Sequence, residues 1–272
     1  MKLYTFLRHE WKMMVILAAC PVYAAIVVLS IFAPVLQQHL LAQQSLATQT
    51  YWMRATPTGG QQGQSMASVP VSTTTMVRTP LTLVQDTFQR PDQQGWGTAS
   101  DGQVWQGDAD DATRFAIRSG AGEIGGGQGK ITALLGQPST NADITLSGSI
   151  TAFATTATNI GAVVHYRNPD EWDKAYIDGT NLVILQCANG RNTTLAFVPF
   201  LAQANTSYII RFRANTTLLE AKAWQSETPE PGAWMVHASE KTLQVGRSGI
   251  RVVLQPTVFV HITSFIVQSA AS

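Results

Sequence analysis

The chain has 272 residues, of which 13% are charged, and its formal net charge at pH 7 is +1. The charge is unevenly placed: residues 1–80 carry five basic residues and one acidic residue, whereas residues 81–272 carry thirteen basic and sixteen acidic residues, a net charge of −3. A slightly acidic C-terminal part without a basic stripe argues against nucleic-acid binding.

The N-terminal part begins with a short basic segment and continues with a long apolar one. Residues 1–12 contain three basic residues against one Glu, and the 24 residues 13–36 contain no charge. A helix of that length extends about 36 Å and crosses a hydrocarbon core of about 30 Å. Because no basic residue follows before Arg54, the positive-inside rule places the N-terminus in the cytoplasm. We predict a cytoplasmic stub (1–12), one transmembrane helix (13–36) and a single-pass cell-membrane protein with an extracytoplasmic remainder.

Two processed forms are alternatives to this uncleaved anchor. A cleaved signal peptide has an apolar core of only about 7–15 residues, and the best cleavage position here, after Ala42, has Leu40 at −3. A lipoprotein signal is the second alternative, because the residues ending at Cys20 resemble the bacterial lipobox. Sixteen mostly apolar residues follow Cys20, however. The length of the apolar run favours the uncleaved anchor.

Residues 37–80 have the composition of a flexible tether. Their charged residues are Arg54 and Arg78, and Gly, Gln, Ser, Thr and Pro dominate from residue 56 onward. Such a segment has little apolar surface to bury and is expected to stay extended and flexible. We predict a spacer that ends where a folded domain, residues 81–272, begins.

Residues 81–272 show the short period-2 runs of an all-β domain rather than a helical period. In residues 208–214, for example, Tyr208, Ile210 and Phe212 alternate with arginines, which is typical of a half-buried strand. The predicted strands are residues 84–88, 115–118, 129–135, 143–153, 160–166, 174–177, 182–187, 194–197, 208–214, 218–224, 234–237, 249–254 and 258–267. About a dozen antiparallel strands predict a two-sheet jelly-roll sandwich whose first and last strands pair.

The two cysteines provide no disulfide framework. Cys20 lies in the apolar N-terminal run and Cys187 in a predicted strand, so we expect no bridge between them. Cys187 is predicted to be a small buried apolar residue. A domain of about 190 residues buries enough core to fold without a disulfide.

A series of aromatic and glycine motifs runs through residues 84–267. In chain order it comprises Asp86-Thr87-Phe88, Gly95-Trp96-Gly97-Thr98-Ala99, Asp101-Gly102, Trp105, Tyr166-Arg167, Trp172, Tyr176, Lys222-Ala223-Trp224, Glu230-Pro231-Gly232-Ala233-Trp234, Gly246 and Gly249-Ile250-Arg251. The series resembles the concanavalin A-like, laminin-G-like sandwich domains of bacterial and phage surface proteins. The resemblance implies a jelly-roll fold and says little about function.

One departure from that family bears on calcium. Its domains often carry Phe-Asp-Asp before the last strand, and those aspartates can support a structural calcium. This chain has Ile262, Thr263, Ser264 and Phe265 there, so we predict no cofactor. A structural calcium in the acidic loop of residues 108–111 stays an alternative.

Two patterns resemble catalytic or cofactor motifs. Residues 120–125 match the dinucleotide-binding fingerprint letter for letter, but more glycines follow instead of a helix, so we interpret them as a flexible loop. Glu171 and Asp173 share one face of a predicted strand, as the carboxylates of retaining glycosidases do. Related sandwich glucanases carry a third acid where Ala175 stands. No catalytic residue is therefore predicted, and a glycoside hydrolase stays an alternative.

Aromatic and polar residues concentrate in one predicted hairpin. Sugars stack on Tyr and Trp rings, while Arg and planar amides supply hydrogen bonds. We predict that this hairpin binds the ligand and that Trp172 lies at its exposed rim. The predicted ligand-binding residues are Tyr166, Arg167, Asn168, Asp170, Trp172 and Tyr176.

These observations favour a membrane-anchored, extracytoplasmic, non-catalytic β-sandwich module that binds carbohydrate. Its expected partners are the membrane, through the single span, and a cell-surface or environmental glycan. A structural or adhesive module that binds a protein is the first alternative, and the glycoside hydrolase is the second.

Overall fold

The structure is a computed structural model that describes residues 80–154 and 158–270. These residues belong to one compact unit, Thr73–Ser272. The predicted stub, membrane helix and nearly all of the linker lie outside the described residues. Within the described part of the chain, no helix combines the length and apolar character that crossing a bilayer requires.

The described residues form short antiparallel strands and one turn of 3-10 helix, Asp108–Asp110. The strands are β1 Thr82–Asp86, β2 Gln93–Gln94, β3 Gln106–Gly107, β4 Phe115–Arg118, β5 Ala121–Ile124, β6 Gly129–Ser139, β7 Ala142–Ile150, β8 Ile160–Asn168, β9 Glu171–Ile177, β10 Asn181–Ala188, β11 Arg191–Pro199, β12 Tyr208–Asn215, β13 Leu218–Gln225, β14 Val236–Ser239, β15 Gly246–Leu254 and β16 Val260–Gln268.

The strands divide into two sheets. The nine-stranded sheet has the order β14-β13-β12-β7-β16-β5-β4-β2, and β1 also pairs with β16. The seven-stranded sheet has the order β11-β10-β9-β8-β15-β6-β3. The predicted all-β, antiparallel, two-sheet sandwich is thus confirmed. The predicted pairing of the first and last strands is confirmed as well, since Thr82 faces Gln268.

The core lies between the sheets and follows the alternation that the sequence predicts. In β12, Tyr208, Ile210, Phe212 and Ala214 are buried, and the residues between them are partly exposed. In the seven-stranded sheet the side chain of Ala162 in β8 likewise points into the core. Outside bulges such as the one between Val164 and Asn168, this period of two fixes which side chains reach the outer faces of the sheets.

One sequence prediction about a strand was wrong. Residues 120–125, interpreted as a flexible loop, contain β5, which pairs with β4 and β16. Its Gly122 lies against the core aromatics, where an added Cβ would approach the Phe88 ring to 2.5 Å. The glycine therefore admits a bulky neighbour, and the strand gains its stability from that packing.

A buried carboxylate ties β1 to the loop that follows it. The Asp86 side chain is 0% exposed and accepts hydrogen bonds from Trp105 Nε1 at 2.7 Å and from Phe88 N at 2.8 Å. It also forms a two-pronged ion pair with Arg90, at 2.8 and 3.1 Å. Ser100 N donates a further bond of 3.2 Å. A charge without solvent is tolerated only when it is bonded in this way.

Aromatic rings surround this carboxylate and continue into the core. Trp96 packs edge-on against Phe88 at 4.9 Å between ring centroids and against Trp105 at 4.7 Å. Trp105 in turn meets Phe265 of β16 at 5.3 Å. The motif that opens the domain is therefore one packing unit, joined to the last strand.

The outer face of the nine-stranded sheet carries an ion network. Arg211 pairs with Asp143 at 2.8 Å and with Glu230 at 2.6 Å. Lys222 reaches the same Glu230 at 2.7 Å. The Trp234 ring lies beneath these cations, 4.9 Å from Lys222 Nζ. Together these contacts hold the Pro-rich loop between β13 and β14 against the sheet.

We predict that Asp86→Ala lowers the free energy of unfolding by about 3–5 kcal/mol, because it leaves the Arg90 charge largely buried without its partner. Denaturant unfolding measures the change. Asp92→Ala is the matched control, since this exposed carboxylate accepts one bond, from Ser119 N at 2.8 Å, and should cost about 1 kcal/mol or less. Equal losses in the two variants would contradict the role given to Asp86.

Candidate functional site

The six predicted ligand-binding residues lie along the β8–β9 hairpin. Tyr166 ends the regular part of β8, and the turn that follows is exposed. Within the turn, Asn168 Oδ1 accepts a hydrogen bond from Asp170 N at 2.8 Å. Arg167 Nε donates to Val245 O at 2.9 Å, which ties the turn to the start of β15. The hairpin is thus an ordered element rather than a loose loop.

Trp172 is buried, so the expectation that it lies at an exposed rim was wrong. Its side chain is 3% exposed and packs with Leu134, Val163 and Cys187 on the outer face of the seven-stranded sheet. The indole Nε1 donates to Pro169 O at 2.8 Å. The guanidinium of Arg251 covers the ring, 4.5 Å from its centroid. Trp172 therefore packs beneath Arg251 and contributes to the outer face of the sheet as a buried residue.

Cys187, another member of this outer cluster, is buried and unbridged. This confirms the prediction that it acts as a small apolar residue. Cys20 lies outside the described residues.

Two cations that the sequence analysis did not single out lie on the same outer face. Lys174 of β9 is 2% exposed, and its Nζ donates to Asn159 Oδ1 at 2.5 Å. Arg251 of β15 is 6% exposed and donates to Thr132 Oγ1. No described Asp or Glu forms an ion pair with either of them. We call Tyr166, Trp172, Lys174, Tyr176 and Arg251 the cationic–aromatic face.

A glycine in β8 makes room for these side chains. Gly161 lies opposite Tyr176 of β9. A Cβ at position 161 would approach Tyr176 Cβ to 2.6 Å and Lys174 Cε to 2.8 Å. The bare backbone of Gly161 therefore lets the two long side chains lie across the strand. The Lys174 ammonium then sits 4.9 Å from the Tyr176 ring centroid.

Burial dominates the electrostatics of the face. It holds the pKa of Lys174 well below its usual value, and the nearby charges of Arg251 and Lys130 lower it further. Burial also lowers the pKa of Arg251 and raises the pKa of both tyrosines, Tyr166 and Tyr176. The two tyrosines are partly exposed, so they border the buried cations and contact solvent.

The carboxylate pair considered for catalysis does not share an open surface. Asp173 is 0% exposed and points into the sandwich, where His165 Nδ1 lies 2.9 Å from its Oδ2. Burial raises the pKa of Asp173, partly offset by the bond to His165. Glu171 lies at the hairpin turn, near Arg167 at 3.8 Å. A polymeric substrate could not reach both acids together.

The acidic loop considered for calcium binds its own backbone. Asp108 Oδ2 accepts a hydrogen bond from Thr132 N at 2.9 Å. Asp111 Oδ1 accepts from both Thr113 N, at 3.0 Å, and Thr113 Oγ1, at 2.6 Å. These bonds account for the geometry of the loop as a turn that leads from β3 to β4 and is held against β6.

A separate polar cleft of about 220 Å³ opens beside β4 and β5. Arg114, Arg118, Glu123 and Phe259 line it. It combines basic side chains and an aromatic ring, but Glu123 also lines it, and Arg114 Nε is 3.7 Å from Asp111. The cleft is therefore closer to charge balance than the cationic–aromatic face.

No protein-family model matches the chain, and no curated protein matches it either. Among solved structures, the chain is similar to xylan beta-1,4-xylosidase from Bacillus halodurans C-125, at 12% identity and a TM-score of 0.52. It is also similar to the GH43 BlXynB protein from Bacillus licheniformis, at 14% identity and a TM-score of 0.51. Each match covers 68% of this chain and 39% of the other.

A third similar structure is the carbohydrate binding module CBM66 from Bacillus subtilis. The identity is 11% and the TM-score 0.48, and the match covers 59% of this chain and 94% of that one. The two structures with the higher scores share the sandwich fold with this chain, and at such identities the likeness concerns the fold alone.

We predict that Lys174→Met raises the free energy of unfolding near neutral pH by about 1–4 kcal/mol, because an apolar side chain replaces a buried ammonium that lacks an ionic partner. In the wild type, the lowered pKa means that the unfolded chain binds the extra proton. Stability should therefore rise with pH between the folded-state pKa and the ordinary value of 10.5.

Denaturant unfolding over this pH range tests the prediction, and Lys174→Met should lose the Lys174-dependent rise. Lys241→Met, at an exposed lysine that is not among the charges acting on Lys174, is the control and should keep the wild-type dependence. A destabilised Lys174→Met, or the same pH profile in all three proteins, would contradict the prediction.

Proposed function

We propose that the β-sandwich is a non-catalytic glycan-binding module whose binding surface is the cationic–aromatic face. The observation that carries the proposal is the pair of buried cations, Lys174 and Arg251, beside aromatic rings and without an ionic partner among the described residues. The charge asymmetry of residues 1–80 supports a tether of this module to the outer side of a membrane.

Such cations lower the stability of the fold. Removing a charged group from water costs several kcal/mol even after relaxation, and the cost is recovered only by close pairing. Lys174 has one side-chain oxygen within hydrogen-bond distance, on Asn159, and Arg251 contacts the Thr132 hydroxyl. Groups whose burial is so poorly compensated occur most often at functional sites. The pair is therefore better explained by ligand binding than by packing.

The rings around the cations suit a sugar. Tyr166 and Tyr176 are partly exposed and flank the buried pair, so each offers ring surface for the apolar face of a pyranose. Arg167 and Asn168 in the exposed turn supply hydrogen-bond donors. The face therefore has the apolar surface and the polar groups that small-ligand sites combine.

The charge of the face indicates an acidic glycan. A uronate carboxylate or a sulfate would supply the negative charge that Lys174 and Arg251 lack. The Arg251 guanidinium presents several donors in a fork, which suits a carboxylate or sulfate better than a neutral hydroxyl. We accordingly propose sugars that carry carboxylate or sulfate groups as the ligand class.

A structural or adhesive role is the second candidate. The edge strand β11 and the residues after it expose Phe197 (64%) and Leu201 (83%). An edge strand with exposed apolar side chains can pair with another protein. This role would use β11 and leave the cationic–aromatic face unoccupied.

A glycan array probed with the full chain, followed by calorimetry, tests the proposal. We expect binding to acidic glycans, and Tyr176→Ala should weaken it by about 1–3 kcal/mol, the scale of an aromatic contact and its burial. Phe197→Ala is the matched control on the same sheet and should bind as the wild type does. Binding confined to neutral glycans, or a loss in Phe197→Ala equal to that in Tyr176→Ala, would contradict the proposal.

A further inference from the structure

We propose that His165, Asp173 and Glu240 form a binding site for a divalent transition metal of the zinc type. The three side chains are buried, with 2%, 0% and 4% exposure. Each offers one ligand atom, and these atoms all lie within 4.8 Å of one another. Imidazole nitrogen and carboxylate oxygen are ligands that zinc accepts together.

The ligands come from three segments that the fold brings to one end of the sandwich. His165 lies on β8 and Asp173 on the neighbouring β9. Glu240 follows β14 and begins the connection to β15; its N–H donates to Thr217 O at 2.7 Å. A bound ion would thus join the seven-stranded sheet to a segment that leaves the nine-stranded sheet.

The imidazole of His165 is held as a metal ligand would be held. Its Nε2 lies 3.1 Å from Thr140 O. A carbonyl oxygen can only accept a hydrogen bond, so Nε2 carries a hydrogen. Nδ1 and Asp173 Oδ2, 2.9 Å apart, share a second proton, which a bound ion would displace. Metal-bound histidines nearly always donate their second N–H to such an outer acceptor, which fixes the ring and the tautomer.

Outer hydrogen bonds orient the two carboxylates as well. Asp173 Oδ1 accepts from Gln186 Nε2 at 3.2 Å, while Oδ2 faces the imidazole. Both oxygens of Glu240 accept from Leu243 N at 3.0 Å. A carboxylate has about four acceptor positions, so each group keeps lone pairs for an ion.

The cluster holds two carboxylates close together, Asp173 and Glu240, and a bound cation would stabilise them. Apart from the contact of His165 with Asp173, no basic side chain in residues 80–154 and 158–270 forms an ion pair with Asp173 or Glu240. Two carboxylates in a low-dielectric interior repel each other strongly, and a divalent ion would neutralise both. The nitrogen ligand favours zinc over calcium, which prefers a shell of oxygen ligands. Three protein ligands leave the fourth position of a tetrahedral ion to water.

The site lies directly behind the cationic–aromatic face. His165 precedes Tyr166, and Asp173 stands between Trp172 and Lys174. Because neighbouring residues of a strand point to opposite faces, an ion held from inside would fix the hairpin whose other side carries these residues. The metal proposal stands on its own ligands and does not depend on glycan binding.

The full chain, purified without an affinity tag and dialysed against ZnCl2 and then metal-free buffer, tests the site. We expect about one equivalent of tightly held zinc by elemental analysis. We also expect a Tm about 5 °C or more above that of the chelator-treated chain, because an ion that binds only the folded state stabilises it. CaCl2 should leave the Tm unchanged.

Glu240→Gln should lose the zinc and the Tm shift, whereas His261→Gln should keep both. His261 is the matched control because it is a partly exposed histidine beside a single acid, Glu123, at 3.3 Å. Should Glu240→Gln fail to fold, the zinc content and Tm shift of the wild type decide alone. A wild-type chain that retains no zinc and shows no shift would overturn the proposal, as would a shift lost in His261→Gln.

Discussion

The buried carboxylate of Asp86 joins the first strand of the sandwich to the aromatic core by hydrogen bonds and an ion pair. It holds the first strand, the Arg90 charge and the Trp105 indole in one hydrogen-bonded unit. Trp96 and Phe265 extend that unit into the core that both sheets share. Asp86 thus links the pairing of the first and last strands to the packing of the aromatic core.

Much of this architecture could be predicted because apolar and polar side chains alternate along a strand that has one buried and one exposed face. β4 was predicted with its observed bounds, Phe115–Arg118. β12 was predicted to within one residue. β2 and β3 were missed because two residues are too few to show a period. β5 was missed because Gly122 contributes no side chain of its own and depends on rings contributed by distant residues.

The site was predicted only in part, for a related reason. The alternation of side chains along β9 shows that Trp172 and Tyr176 share a face, but it does not show which residues cover that face. Arg251 belongs to β15, which lies next to β8 only because of the sheet order, and it closes over Trp172. Glu240 lies in the connection from β14 to β15, and the fold of the whole chain brings it close to His165. Local spacing could not reveal either of these long-range contacts.

The β8–β9 hairpin therefore carries two groups of polar residues, one on the inner face of the seven-stranded sheet and one on its outer face. Residues that point inward place His165 and Asp173 next to Glu240, and residues that point outward place Lys174 beside Tyr176. An ion bound by the inner group would fix the backbone that carries the proposed binding surface. Such a rigid support lowers the entropy that a binding surface loses when it captures its ligand.

We propose that ligand binding occurs on the outer face of the seven-stranded sheet. Hydrogen–deuterium exchange of the full chain, with and without the acidic glycan that it binds most tightly, locates the bound surface directly. We predict slower exchange in the β8–β9 hairpin, Ile160–Ile177, and in β15. Protection confined to the cleft beside Arg114 and Arg118, or to the edge strand β11, would contradict it.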